Sequence, residues 1–147
     1  MRKHNVVSGL WKRLARLRRD RSGGMAIEFG FAAPVIVVLT IGLMDIGRMV
    51  WIDTTIANAA YEGVRYAAIR GADSDSPATS AQVVTYVKGR AAGVVESDIS
   101  VAVSWSPDNS SGSEVLIQIG YDFDTYLSGF LPIGTIELKT VSKLTVS

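Results

Sequence analysis

Phe29-Gly30-Phe31-Ala32-Ala33-Pro34-Val35-Ile36-Val37-Val38-Leu39-Thr40-Ile41-Gly42-Leu43-Met44 is an uncharged run of sixteen residues between Glu28 and Asp45. At about 1.5 Å per helical residue it covers about 24 Å of a hydrocarbon core roughly 30 Å thick. Counted from Met25 it becomes twenty residues, or about 30 Å, with Glu28 one turn inside the edge. Nine of the sixteen are Phe, Val, Ile or Leu, together worth roughly −3 to −5 kcal/mol on insertion scales. A carboxylate at mid-span would cost about 2.5–3.5 kcal/mol and nearly cancel that gain. Glu28 sits near the boundary, where the penalty is smaller. The run predicts a single membrane span.

Its flanks differ in charge. Residues 1–21 carry eight Lys/Arg and one acidic residue, Asp20, for a net of +7. Residues 22–147 carry seven Lys/Arg and thirteen acids, for a net of −6. Short basic flanks stay cytoplasmic, so the N-terminus is expected inside and the acidic portion across the membrane. A soluble core helix rarely follows so dense a basic block. An ordinary secretory signal is opposed by Glu28 and by the distance to the first A-x-A, Ala57-Asn58-Ala59.

The chain of 147 residues is 48% hydrophobic and 20% charged, which excludes wholesale disorder. It has no cysteine and one histidine, His4 in the basic tail. Disulfides, thiol catalysis, cysteine-ligated zinc and an internal Ser/His pair are therefore excluded.

Past Asp45, Ile46, Met49, Val50, Asp53, Ile56, Ala60, Val64 and Ala67 recur at helical spacing. Gly71 and the loop Asp73-Ser74-Asp75-Ser76-Pro77 stop the helix. Running from Gly24 to Arg70, it would have 47 residues and a length of about 70 Å, with Pro34 removing one ladder hydrogen bond. A second helix is expected over Ala78–Ala92, capped by Thr79 or Ser80 and striped by Val83, Val84 and Val87. Three alternating stretches follow. Ile99, Val101, Val103 and Trp105 share one strand face, Val115, Ile117, Ile119 and Tyr121 another, and Ile136, Leu138, Leu144 and Val146 mark a third. Ser106–Gly112 reads as a hairpin loop and Leu127–Pro132 as an apolar loop. The expected fold is α+β: a transmembrane stem helix over residues 24–70 and a small antiparallel sheet head over 71–147, packed on the stem for want of another apolar layer.

The function lies in Arg18-Arg19-Asp20-Arg21-Ser22-Gly23-Gly24-Met25-Ala26-Ile27-Glu28-Phe29. A basic leader meets small residues at the cytoplasmic face, where paired glycines give a protease an unhindered backbone. Cleavage after Gly23 makes Glu28 the fifth residue of the product; cleavage after Gly24 makes it the fourth. Either leaves the apolar helix on the mature chain.

This arrangement resembles a type IV prepilin leader, and the chain resembles the TadE-like minor pseudopilins of the tight-adherence (Flp) pilus system. The resemblance rests on Gly23-(x4)-Glu28-Phe29, the apolar run with Pro34, Asp45-Ile46-Gly47-Arg48, and Ala57-Asn58-Ala59-Ala60-Tyr61-Glu62-Gly63-Val64-Arg65-Tyr66-Ala67. It covers residues 21 to about 68, and the head matches by architecture alone. It implies a pilin-like fold and removal of residues 1–23 by a membrane-embedded prepilin peptidase, with Gly23 favoured because the family glutamate is fifth. It also implies assembly with other pilins through Glu28 and Phe29, a span marked by Phe29, Pro34 and Met44, and a stem motif of Glu62, Gly63, Arg65 and Tyr66. The setting would be a bacterial inner membrane with the head in the periplasm. No catalytic residue, cofactor or metal is implied.

Leu10, Trp11, Leu14 and Leu17 among basic residues suit an anionic lipid surface better than nucleic acid. Asp73-Ser74-Asp75 and Asp122-Phe123-Asp124 lack the spacing of a calcium loop. Asn109-Ser110-Ser111 is a sequon of a kind common in turns. Tyr61 and Tyr66 are expected between stem and head, and Arg65 beside Glu62 or a head acid. Without His or Cys beyond the leader, an enzyme would need a carboxylate pair or a Ser/Lys arrangement, and neither stands at a recognisable spacing. The competing function is a membrane-anchored periplasmic binding or adhesin module that keeps its leader.

Overall fold

The computed structural model describes residues 22–147, which fall into two units meeting between Thr40 and Ile41. The basic leader, with its expected amphipathic helix, lies outside the described residues. Helix α1 spans Ser22–Ile69, starting two residues before the expected Gly24 and passing through Pro34.

In the first unit, residues 23–40 of α1 are exposed almost throughout; only Ala33 and Val38 are half-buried. Phe29, Phe31, Val35, Ile36, Val37 and Leu39 all point away from protein. Among the described residues one helix is long and apolar enough to cross a membrane, and none of its most apolar window is buried. It fits a single-pass membrane anchor.

The second unit opposes the rest of α1 to helix α2 (Ser80–Arg90) and strands β1 (Ile99–Ser106), β2 (Glu114–Phe123) and β3 (Ile136–Thr145). The strands form an antiparallel meander in the order β1-β2-β3, the expected α+β head. Register sets Val101 opposite Ile119 and Val103 opposite Ile117. On the other side Ile119 faces Thr140 and Ile117 faces Ser142. Central β2 alternates strictly, burying Val115, Ile117, Ile119, Tyr121 and Phe123, as period-2 geometry demands. Phe123 continues the expected face by one step. In β3 the inward face holds Thr140 and Ser142 at its middle, half-buried, so this edge strand adds less to the core. Val146 lies beyond the strand but is buried, where a Cβ on Gly71 would meet its Cγ1.

These side chains make one core with Ile52, Ile56, Ala59, Ala60, Val64, Ala67 and Ala68 of α1 and Val83 and Val87 of α2. The sheet thus packs on the stem, as expected. The predicted stripe holds at Met49 and from Ile56 onward, but Ile46, Val50 and Asp53 are exposed, and the seam runs through Asp45, Met49 and Ile52. Apolar periodicity missed the true face because a carboxylate occupies its first position.

Helix α2 is N-capped by Thr79, which forms a capping box with Gln82: the Gln82 N–H donates to Thr79 Oγ1 (3.3 Å) and the Thr79 N–H to Gln82 Oε1 (3.0 Å). The hairpin loop is closed by Asp108, which accepts from the Ser110 N–H (3.0 Å), the Ser113 hydroxyl (3.0 Å) and the Ser110 hydroxyl. Led by the Ser110 hydroxyl, these donors hold its carboxyl below the usual aspartate range. The loop meets the end of α1, where the Ala72 N–H donates to the Asn109 carbonyl (2.6 Å) and the Ser111 N–H to Asp73 (3.1 Å).

Candidate functional site

The residues singled out by sequence fall into two groups, one in each unit. In the first, Gly23 and Gly24 lie in the first turn of α1 and a Cβ on either would meet nothing. Each glycine weakens a helix by about 1 kcal/mol relative to alanine, so this turn opens at low cost. Glu28 and Phe29 follow one turn on, both exposed. Among the described residues Glu28 has no ion-pair partner. Pro34 is exposed as well, and so is the other span marker, Met44, which belongs to the second unit.

The stem motif belongs to the second unit, and each member has its own contact. Gly63 is buried where α1, α2 and β2 converge. A Cβ there would lie 2.9 Å from Ile117 Cδ1 and closer still to Val87 Cγ2, so only glycine admits both side chains. Val64 is buried beside it. Glu62 pairs with Arg90 of α2 (2.9 Å), and not with Arg65 as its spacing suggests. The reason is competition: a long side chain from a packed neighbouring helix reaches the carboxylate. The Arg90 guanidinium also donates to the Tyr86 hydroxyl (3.1 Å). That hydroxyl first, and Glu62 second, raise the pKa of Arg90 above its ordinary value.

Tyr66 stacks on Tyr86 with ring centroids 4.3 Å apart and 15° between planes, and Arg70 lies over its other face, 4.1 Å from the centroid. This is the stem–head contact expected of Tyr66. Tyr61 departs from that expectation and is exposed, as is Arg65, which has no ion-pair partner among the described residues. Tyr61, Glu62, Arg65, Tyr66 and Tyr86 line one shallow groove on this face. The acidic triplets have ordinary duties: Asp73 receives the Ser111 N–H and Asp124 the Thr135 hydroxyl (3.1 Å). Among the described residues no group of three or more His, Cys, Asp or Glu is gathered for a metal.

A further cluster escaped sequence reasoning. Asp45 is only 3% exposed; its Oδ2 accepts from the Leu127 N–H (3.1 Å) and its Oδ1 pairs with Arg48 (3.3 Å). The Arg48 guanidinium lies 4.9 Å from the Phe123 centroid and 4.3 Å from that of Tyr126. The i, i+3 spacing of Asp45 and Arg48 was the available signal. The long-range acceptor role was not visible, because the partner is a backbone amide 82 residues away.

No curated protein and no solved structure matches the chain at a significant level. A family model described as TadE-like protein matches residues 23–65. That interval opens at Gly23 and closes at Arg65, enclosing Glu28, the apolar run, the Asp45–Arg48 pair and the Glu62-Gly63 step. Over this stretch of helix the chain is similar to TadE-like proteins.

Proposed function

We propose that the chain is a noncatalytic minor pseudopilin, processed by a prepilin peptidase and used in assembly of a tight-adherence pilus for surface adhesion. The observation that carries this reading is the contrast within α1: an apolar stretch that is almost wholly exposed, preceded by two unpacked glycines and followed by a folded head. A retained greasy helix of this kind packs with like helices once its leader is gone. Cleavage after Gly23 sets Glu28 fifth. An unmatched charge in an apolar bundle is costly, and the new α-amine of a neighbouring subunit is the partner of opposite sign. The protein sits in a bacterial inner membrane, leader inside and head in the periplasm. Its partners are the peptidase, other pilins or pseudopilins, the assembly machinery and lipid, with no part for nucleic acid.

N-terminal sequencing of the protein from cells with and without the peptidase tests this directly. The expected result is a chain starting at Gly24 in the first case and an intact leader in the second. An unprocessed chain in both would favour the anchored binding module instead. Replacing both glycines, Gly23→Ala with Gly24→Ala, should leave the leader-bearing form on a gel. Glu28→Gln should lower incorporation into pili while membrane insertion persists; normal assembly of that variant would falsify the pairing.

A further inference from the structure

We infer that the loop between β2 and β3 is a lipid-contacting element that rests on the outer surface of the bilayer beside the emerging helix. This rests on the reading of α1 as a membrane span. Between Asp124 and Glu137 the chain has twelve consecutive uncharged residues, Thr125 to Ile136. The loop turns through a short 3-10 helix, Tyr126–Gly129, and presents its large side chains to the outside. Phe130 is 65% exposed and Tyr126 60%, with Leu131 and Ile133 also exposed. A soluble loop of this length seldom leaves four such side chains uncovered together.

Its place along the helix identifies what covers it. Leu127 is fastened to the last turn of the uncharged run: its N–H donates to Asp45 Oδ2 (3.1 Å), and its Cδ1 lies 3.4 Å from where a Gly42 Cβ would stand. Leu43, Met44 and Ile46 on the same turns are exposed, so the loop widens an apolar surface that the helix already shows. The opposite hairpin, by contrast, is tied to Ala72 and Asp73, roughly 40 Å further along the helix axis. The groups on this stretch of the helix are those of a membrane–water boundary. Arg48 lies over the Tyr126 ring, and Trp51, 52% exposed, follows Met44 by about 10 Å. Asp45 is the group that makes this depth tolerable: its charge is met by Arg48 and an amide and is not left bare at the edge of the hydrocarbon.

The chain has no cysteine, so a single introduced one reports a single position. Full-length protein carrying Phe130→Cys, Val37→Cys or Ser111→Cys, each labelled with an environment-sensitive fluorophore, is reconstituted into phosphatidylethanolamine/phosphatidylglycerol vesicles. The vesicles contain lipids spin-labelled at a shallow or a central acyl position. The expected result is strong quenching at 130 by the shallow spin label, several-fold above that at 111, and quenching at 37 by the central one. If 37 is quenched by lipid while 130 is as open to aqueous iodide as 111, the loop lies in water and the proposal fails, with the span intact. If 37 also escapes the lipid quenchers, the span reading falls and takes the proposal with it. If shielding at 130 appears only at high protein-to-lipid ratio, a second copy covers the loop and the lipid assignment is wrong.

Discussion

The two parts of α1 solve the same problem in opposite ways. From Met25 to Thr40 the helix carries large apolar side chains on every face, and nearly all of them are exposed. From Asp45 to Ile69 one seam is buried, and from Ala59 onward its residues are mostly small: Ala59, Ala60, Gly63, Ala67 and Ala68. A helix that must meet lipid on all sides gains from bulk everywhere. One that must receive a sheet and a second helix gains from removing it along one line. Hydrophobicity alone therefore says little about which part of a long helix is the protein's interior.

The largest expected effect separates the two parts by one kind of truncation. Ile117→Ala, at a position with no exposure, should destabilise the head by about 2–5 kcal/mol. Val37→Ala should leave its unfolding unchanged. Thermal denaturation of the full chain in detergent measures both, and equal shifts would break the distinction between the parts.

A smaller effect is expected when a methyl group is added. Gly63→Ala should cost about 1–3 kcal/mol, since Val87 and Ile117 must both move. Gly30→Ala has open space around it and should leave the head's melting as it was. The same melting curves decide the matter.

Much of this was legible in advance because local rules agreed with the tertiary outcome. Strand β2 reads from its alternation, α2 from its Thr79 or Ser80 cap and its valine stripe, and the span from an unbroken uncharged run. The misses share a cause. Asp45, Arg48 and Leu127 meet through a backbone amide and through cation–ring contacts, which leave no period in the sequence. Arg90 took Glu62 from Arg65 because the packing of two helices, not spacing on one, decides which cation is near. The burial of Gly63 is a statement about absent atoms, and composition records it only as flexibility.

The smallest effect concerns the hairpin at the far end of α1. The donors around Asp108 lower its pKa, so it should titrate below the usual aspartate value in the folded chain. Its contribution to stability is then complete above the ordinary carboxyl range and disappears as pH falls through the lowered value. Carbon-detected NMR titration of the Asp108 carboxyl follows this directly; an ordinary titration curve would show that the serines do not hold it.

The gap left by the missing side chain at Gly63 has a mechanical consequence. Sliding α1 by one residue would bring Glu62 or Val64 into a space that admits no methyl group, so the axial register between helix and head is indexed to a single position. Tension drawn along the helix is then transmitted to the head without slippage, as a notch holds a ratchet.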